Sequence, residues 1–181
     1  MKPEEAKLVE ACLKKDQRAM KQLYDRYAPA LYGICLRYSH SDEDAKDWFQ
    51  DGFIKVFENL NKLHDHESLY AWMRSIFINT ALSALRPVKN NMEIQMDNDE
   101  IDSMADFYPT SEHFDRLDVN IILDAIQKLT PALRLVFNLC EIDGLSFSEA
   151  AEVAGVSEST VRANLARAKQ QLSKDLEKYL K

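Results

Sequence analysis

Two adjacent helix starts in residues 146–172 constrain this chain more than any other stretch of its sequence. Ser146 and Glu149 have the spacing of a capping box, and Ser157 stands where a second helix would be capped. Gly155 can adopt the positive φ that a tight turn between the two helices requires. This order predicts a short helix, a glycine turn and a longer helix, which together make a helix-turn-helix. An ordinary αα-hairpin that never touches DNA is the alternative.

The longer of these helices combines an apolar stripe with a basic outer face. Residues three and four apart share one side of a helix, and here they form an inward stripe: Val161, Leu165, Ala168, Leu172 and Leu176. Arg162, Asn164, Arg167 and Lys169 fall off this stripe and are expected to be exposed. Because cationic side chains contact phosphates and arginine is the commonest reader of guanine edges, the pattern favours DNA binding.

Charge is distributed unevenly along the chain, whose formal net charge is −7. Residues 88–124 carry 2 basic and 10 acidic side chains, whereas residues 157–181 carry 6 basic and 3 acidic ones. An acidic average therefore does not exclude DNA binding, because the basic face is local.

The composition favours a helical protein without a membrane anchor. Its 181 residues allow one domain or two small ones, and they include only 4 glycines and 5 prolines. There is neither an apolar run long enough to cross a membrane nor a signal peptide, so we expect a cytoplasmic protein. Cys12, Cys35 and Cys140 are far apart and odd in number, and each is expected to pack as a small apolar residue.

Apolar periodicity predicts an all-α fold of two small helical domains, residues 1–87 and 113–181. The predicted helices cover residues 4–24, 30–38, 42–60, 68–85 and 113–128, followed by one that starts at Pro131 and the two of the helix-turn-helix. Residues 88–112 lose the period and are rich in Asp, Asn, Glu and Met, so they are interpreted as an acidic flexible linker.

Several single residues carry further structural predictions. The polar residues 14–16 offer a break in the first helix, and Pro29 is expected to end one helix or start the next. Trp72 lies on an apolar stripe and is interpreted as a core residue. Leu117, Val119, Ile122, Leu123 and Ile126 are expected to face inward from the helix over residues 113–128.

Two polar regions of the first domain are candidate sites. Asp47, Gln50 and Asp51 form an acidic edge on the helix over residues 42–60, and their spacing alone favours a solvated edge over a docking surface. Tyr70, Arg74 and Asn79 lie off the main stripe of the next helix, where aromatic and basic groups can hold single-stranded bases.

No catalytic or metal-binding pattern stands out. His64 and His66 form an H-x-H pair in a polar loop without other ligands nearby, so no metal site is expected. The sequence has no P-loop, no Rossmann glycine pattern and no nucleophile elbow, so we expect neither an enzyme nor a cofactor.

Two blocks of the sequence resemble a known family. Residues 23–60 with 68–86 resemble region two of bacterial RNA polymerase sigma factors of the extracytoplasmic-function (ECF) type, and residues 129–172 resemble region four. The resemblance implies a protein that binds core RNA polymerase, directs it to promoter DNA and catalyses nothing itself. It also implies an anti-sigma factor as an inhibitory partner and a monomer in the free state.

The resemblance assigns roles to particular residues. The D-x-x-Q-x-x-F pattern implies docking on the polymerase clamp helices, which reverses the preference for a merely solvated edge, through Asp47, Gln50, Asp51 and Phe53. Recognition of the minus-ten element is implied for His64, Asp65, His66, Tyr70, Arg74 and Asn79. Recognition of the minus-thirty-five element is implied for Ser157, Thr160, Arg162, Ala163, Ala166, Arg167 and Lys169. Within the last set, Ser157, Thr160 and Lys169 would contact phosphates.

Three positions depart from the family pattern. Gly52 stands in the docking helix at a cost of about 1 kcal/mol relative to alanine. Asn164 and Ala166 replace more basic or bulkier residues in the recognition helix. The alternatives to a sigma factor are a free-standing dimeric helix-turn-helix regulator, for which no dimer helix is evident, and a helical adaptor that binds only protein.

Overall fold

A computed structural model of the chain describes residues 2–63, 68–85 and 118–180. The chain divides into two compact units, Met1–Ala84 and Leu85–Lys181. Every regular element in the described ranges is helical, so the predicted all-α fold is confirmed. The predicted linker over residues 88–112 lies outside the described residues.

The first unit is built from four helices joined by short turns. They are α1 (Pro3–Leu13), α2 (Gln17–Tyr38), α3 (Asp42–Asn59) and α4 (Leu69–Ala84), with a 3-10 turn over Leu60–Lys62. The predicted break at residues 14–16 is confirmed, because Lys15 takes a φ of 60° and Asp16 caps α2. Ser41 caps α3 by accepting a hydrogen bond from the backbone N–H of Asp44, at 3.1 Å.

The prediction that Pro29 ends or starts a helix is wrong, because Pro29 lies inside α2. A proline within a helix removes one backbone hydrogen bond and costs about 3 kcal/mol. Its own side chain is exposed, while the helix turns around it bury Leu23, Tyr27, Leu31 and Ile34. Packing of this continuous stripe keeps the helix intact through the proline.

The core of the first unit is aromatic where α3 meets α4. The ring of Phe77 is fully buried, with its centroid 5.3 Å from that of Phe53 and 5.9 Å from that of Phe49. A Cβ atom at Gly52 would lie 2.6 Å from the Phe77 ring. Gly52 is therefore required for the close approach of the two helices, which explains its departure from a helix-forming residue.

The second unit is organised around its last helix. The elements are α5 (Val119–Lys128), α6 (Pro131–Phe137), a π-helical turn over Asn138–Ile142, α7 (Phe147–Ala154) and α8 (Glu158–Leu180). Helix α8 packs against α5, α6 and α7. One core cluster of this unit consists of Ala125, Ile126, Leu129, Ala168, Leu172 and Leu176. Thr130 and Pro131 begin α6 as predicted.

The inward stripe predicted for α5 is only partly confirmed. Ile126 is buried, and Ile122 packs against the core cluster. The prediction for Val119 is wrong, because its side chain is 68% exposed. Val119 is the first residue of α5 and lies at the edge of the stripe, one turn before the packed part of the helix. Leu117 lies outside the described residues.

The three cysteines form no disulfide bond that would stabilise the fold. All three cysteines are free thiols; Cys12 and Cys35 are buried and Cys140 is half-buried. Among the described residues, no group of three His, Cys, Asp or Glu side chains has an arrangement that could hold a metal ion. Within the same ranges, no helix has both the length and the apolar content needed to cross a lipid bilayer.

Candidate nucleic-acid and docking interfaces

The helix-turn-helix is held by the caps that the sequence predicts. The backbone N–H of Ser146 donates to the Glu149 carboxylate at 2.9 Å, and the N–H of Glu149 donates to Ser146 Oγ at 3.3 Å. The Ser146 hydroxyl also donates to Glu149 Oε2 at 2.7 Å, and this bond together with the one from the Ser146 N–H lowers the pKa of the Glu149 carboxylate. Gly155 ends α7 with a φ of 74°, and Ser157 Oγ accepts from the N–H of Thr160 at 3.2 Å. The capping box, the glycine turn and the second cap are confirmed.

The predicted inward stripe of α8 is confirmed, whereas the exposure predicted for one residue, Asn164, is wrong. All five predicted stripe residues are buried. The prediction that Asn164 faces outward is wrong, because its side chain is buried beside the stripe. It lies three residues after Val161 and directly before Leu165, and this spacing directs it toward the packed side of the helix. Asn164 therefore cannot supply an exposed phosphate contact.

The outer face of α8 has small side chains along its centre and an arginine at each edge. Its outermost strip consists of Ser159, Ala163, Ala166 and Gln170. Arg162 and Arg167 lie on opposite edges of this strip, about 140° apart around the helix. Small central side chains allow a helix to approach base edges closely, while the flanking arginines reach further. Ser159 and Gln170 were missed in the sequence, although the helical period places them there.

Two cations of this face already have partners within the unit. The Arg162 guanidinium carbon lies 4.5 Å from the centroid of the Phe147 ring, and Arg162 Nη2 lies 3.4 Å from Glu158 Oε2. Lys169 Nζ lies 2.8 Å from Glu141 Oε1. These contacts hold the charged groups of Arg162 and Lys169 in place in the absence of a ligand.

The hydroxyls at the start of α8 form a cluster of their own. Ser157 Oγ lies 2.8 Å from Ser159 Oγ and 2.8 Å from Thr160 Oγ1. Hydroxyl groups at a helix N-terminus stand where backbone N–H groups also point outward, and such positions suit phosphate oxygens. Ser157 and Thr160 are thus brought together at the start of the helix that carries the arginines.

An open groove lies between α3 and α4 in the first unit. Its volume is about 330 Å³. It is lined by Lys55, Asn59, Lys62, Trp72, Ile76, Asn79, Thr80 and Ser83. Of the residues predicted for the minus-ten element, Asn79 is the one that lines it. The core prediction for Trp72 is wrong, because this side chain is only half-buried and forms part of the groove.

Hydrogen bonds hold the two lysines of this groove. Lys55 Nζ donates to Thr80 Oγ1 at 3.1 Å, and Lys62 Nζ donates to Asn59 Oδ1 at 2.7 Å. The Asn59 amide in turn donates to the carbonyl of Lys55 at 2.8 Å. Positive charge therefore borders an aromatic ring. The sequence showed these residues at spacings of three and four, but not that they line one groove with Trp72.

Tyr70 and Arg74, the other described residues predicted for the minus-ten element, do not line the groove. Tyr70 stacks on Tyr27 of α2, with ring centroids 6.2 Å apart, and Arg74 is half-buried on the same side of α4. Helical spacing puts this side roughly opposite Asn79. His64, Asp65 and His66 lie outside the described residues, so their roles stay predictions.

The acidic edge of α3 is continuous with an exposed apolar side chain. Asp47, Gln50 and Asp51 are exposed on one face, and Ile54 on the same face is 55% exposed. Phe53 is only 5% exposed and packs on other aromatic rings, so it supports this face from beneath. We call Asp47, Gln50, Asp51 and Ile54 the docking face. Ile54 is not among the residues predicted for docking, because the resemblance assigns that role to the residues of the D-x-x-Q-x-x-F pattern and to Asp51.

Comparison with known proteins defines the class of this chain. A model of Sigma-70 region 2 matches residues 23–89, and a model of Sigma-70 region 4 matches residues 120–172. The two matches follow each other in the family's order and together cover more than half of the chain. The chain belongs to the sigma-70 family of RNA polymerase sigma factors, which are transcription initiation factors.

Full-length relatives narrow the class to ECF sigma factors. The chain is 27% identical to the RNA polymerase sigma-H factor of Pseudomonas aeruginosa, over 98% of this chain and 96% of the relative. It is 28% identical to the ECF RNA polymerase sigma-E factor of Escherichia coli K12, over 96% and 95%.

A solved structure shares the fold. The sigma factor RpoE in complex with the anti-sigma factor NepR from Bartonella quintana matches with a TM-score of 0.51 and 25% identity, over 87% of this chain and 96% of that one. The predicted sigma-factor family is confirmed. A free-standing regulator and a protein-only adaptor both fail to explain matches to regions two and four in a single chain.

Proposed function

We propose that this sigma factor divides promoter recognition between two surfaces and docks on the polymerase through a third. The α3–α4 groove takes single-stranded DNA of the minus-ten element, and the outer face of α8 takes the duplex minus-thirty-five element. The docking face binds core RNA polymerase. The observation that carries the proposal is the groove itself, which is lined by Trp72 together with two lysines held by hydrogen bonds.

The chemistry of the groove suits an unpaired base with its backbone. An aromatic ring stacks on any base, and such stacking is worth about 1–3 kcal/mol per base. Lys55 and Lys62 supply charge for the phosphates, while the Asn79 amide can both donate to and accept from a base edge. Unpaired bases bound here would stabilise the melted promoter against reannealing. The proposal keeps His64, Asp65 and His66 as further contacts to the minus-ten element, on the family resemblance alone.

The outer face of α8 suits a helix lying in the major groove. Arg162 and Arg167 would read guanine edges, for which bidentate contact is worth about 1–3 kcal/mol. Ser157, Thr160 and Lys169 would contact phosphates and set the register without reading sequence. Lys169 would exchange its ion pair with Glu141 for a phosphate contact.

The docking face suits a basic partner with an apolar centre. The carboxylates of Asp47 and Asp51 would pair with basic side chains of the polymerase. Ile54 would be buried between the two proteins. The chemistry of RNA synthesis belongs to the polymerase, so the chain itself catalyses nothing. Because RNA polymerase works in the cytoplasm, we place this chain there. We propose that it is a monomer when it is not bound to the polymerase.

An anti-sigma factor is proposed as an inhibitory partner. The Bartonella quintana sigma factor that shares this fold was solved in complex with one. Covering the docking face would keep the chain from core polymerase until a signal releases it. A complex that competes with core polymerase, and that Ile54→Asp weakens, is the expected behaviour.

Replacement of Trp72 by alanine tests the groove. We expect promoter opening, followed by 2-aminopurine fluorescence in the minus-ten element, to fall about tenfold or more because a stacking platform is lost. Binding to core polymerase should stay unchanged, since the docking face is intact. Trp48→Ala, at a half-buried tryptophan of α3 that does not line the groove, is the matched control. Equal opening by Trp72→Ala and Trp48→Ala would contradict the assignment.

A further inference from the structure

We propose that Phe147 is a positioning residue for Arg162 and thereby sharpens the choice of one base in the minus-thirty-five element. Phe147 belongs to the first helix of the helix-turn-helix, whereas Arg162 belongs to the second. The inference rests on the proposed function of α8. It adds a residue that touches no DNA itself and acts through the arginine that does.

The geometry places the arginine between a ring and a carboxylate. The guanidinium carbon of Arg162 lies 4.5 Å from the centroid of the Phe147 ring, within the distance at which cation–π attraction operates. Glu158 Oε2 lies 3.4 Å from Arg162 Nη2. The side chain is nevertheless 60% exposed, so most of it faces solvent. Without these contacts, a side chain this exposed would sample many rotamers.

Stacking is suited to positioning because it leaves the donors of the guanidinium available. The five N–H donors lie in the guanidinium plane, and a cation–π contact uses none of them; one, on Nη2, points to Glu158 Oε2 at 3.4 Å. Phe147 therefore holds the guanidinium in place, and the remaining donors can still make a bidentate contact to guanine. Ordering the side chain beforehand lowers the entropy lost on binding.

The ring itself is fixed by the local fold. Phe147 is the first residue of α7 and directly follows Ser146, whose capping box holds that end of the helix. Gly155 and the buried contacts of Val161 then fix α7 against α8. The Phe147–Arg162 contact thus joins two elements whose relative position is already determined.

Phe147→Leu and Phe147→Tyr separate the ring from its volume. Leucine keeps an apolar side chain of similar size but has no π face, whereas tyrosine keeps the ring. Holoenzyme reconstituted from the full chain and core polymerase would transcribe a barcoded promoter library with a randomised minus-thirty-five element and a fixed minus-ten element. Sequencing of the transcripts gives base preference at each position, and Arg162→Ala identifies the position that Arg162 reads.

Phe147→Leu is expected to lower the preference at that one position about two- to fivefold, which is the range of an exposed cation–π contact. Preferences elsewhere should stay unchanged, and Phe147→Tyr should retain the wild-type preference. In the Arg162→Ala background, Phe147→Leu should have no further effect. A uniform loss across all positions, or unchanged preference with Phe147→Leu, would overturn the proposal.

Failure of this inference is distinguishable from failure of the proposed function. If the wild-type holoenzyme initiates at discrete promoters and Phe147→Leu keeps full base preference, only the positioning role is overturned. If the wild-type chain gives no discrete initiation, the assignment of α8 to the minus-thirty-five element is wrong, and the positioning role of Phe147 is then wrong as well. Thermal unfolding of each variant verifies that the helix-turn-helix is folded.

Discussion

Gly52 sets the distance between α3 and α4, because nothing larger than hydrogen fits between its backbone and Phe77. The ring that a Cβ atom would meet at 2.6 Å is fully buried and contacts other aromatic rings, so it cannot move aside. The groove and the docking face both depend on α3. Its packing on α4 is therefore a condition for both surfaces.

Gly52→Ala is expected to destabilise the protein, although alanine is the better helix former by about 1 kcal/mol. Overpacking a dense core costs about 1–3 kcal/mol, so the net change is a lower melting temperature of the first unit. Gly33→Ala is the control, because a Cβ atom at this helical glycine meets nothing within 4 Å. That variant should be neutral or slightly stabilising. Comparable stabilisation by both variants in urea unfolding would contradict the packing role.

Cys35 gives the first unit a pH dependence at alkaline pH. Burial raises the pKa of the Cys35 thiol from 9.0 to about 12. Between these two values the unfolded chain releases this proton and the folded protein retains it. Unfolding is therefore favoured as the pH rises above 9, by up to about 1.4 kcal/mol per pH unit from this group.

The Cys35 contribution is measured as a difference between two proteins. Urea unfolding under reducing conditions at several pH values from 8 to about 11 gives the slope for the wild-type chain and for Cys35→Ala. The wild-type slope should be steeper, whatever the other groups contribute to both. Identical slopes would show that the thiol titrates alike in the folded and unfolded states.

At the scale of elements, the proposed function places two roles on two sides of α3. The groove lies where α3 faces α4, and the docking face points away from the core. Ile54 of the docking face and Lys55 of the groove are consecutive residues about 100° apart around the helix, whereas Asp51 is the i+4 neighbour of Lys55. A substitution at Ile54 should therefore spare the groove.

Ile54→Ala tests this separation. Removing an exposed apolar side chain from the centre of the docking face should weaken binding to core polymerase about tenfold. Leu13→Ala is matched to it, because Leu13 is 49% exposed against 55% for Ile54 and lies on α1. Titration of labelled chain with core polymerase measures both. Equal affinities for the two variants would remove Ile54 from the interface.

The sequence predicted elements better than it predicted surfaces. Caps and apolar periods are local, so the helix-turn-helix, its glycine turn and the stripe of α8 follow from neighbouring residues. Pro29 was misjudged because packing on both sides of it outweighs a local cost. The groove depends on side chains from two packed helices, and no local pattern shows that Lys55 and Trp72 line the same groove. Asn164 shows where a prediction from an apolar stripe fails, because a residue at the edge of the stripe can be either buried or exposed.

At the scale of the whole molecule, the proposed function has two modest DNA-reading surfaces acting through one scaffold, the polymerase. The outer face of α8 has few cations, and one of them is engaged by Glu141. The groove takes DNA only once it is single-stranded. When both are carried by one polymerase, the second contact becomes intramolecular and specificity rises without either surface binding tightly alone. Promoter recognition is therefore expected from the holoenzyme and not from the free chain.

Transcription by purified core polymerase, with and without this chain, tests the central claim most directly. The templates are fragments of the source genome, and the transcript starts are mapped by sequencing. The account predicts discrete starts that appear only with the chain and share two elements at a fixed spacing. Trp72→Ala should diminish these starts, and Arg162→Ala should shift the preferred upstream element. Absence of discrete starts, while the chain still binds core polymerase, would contradict the account.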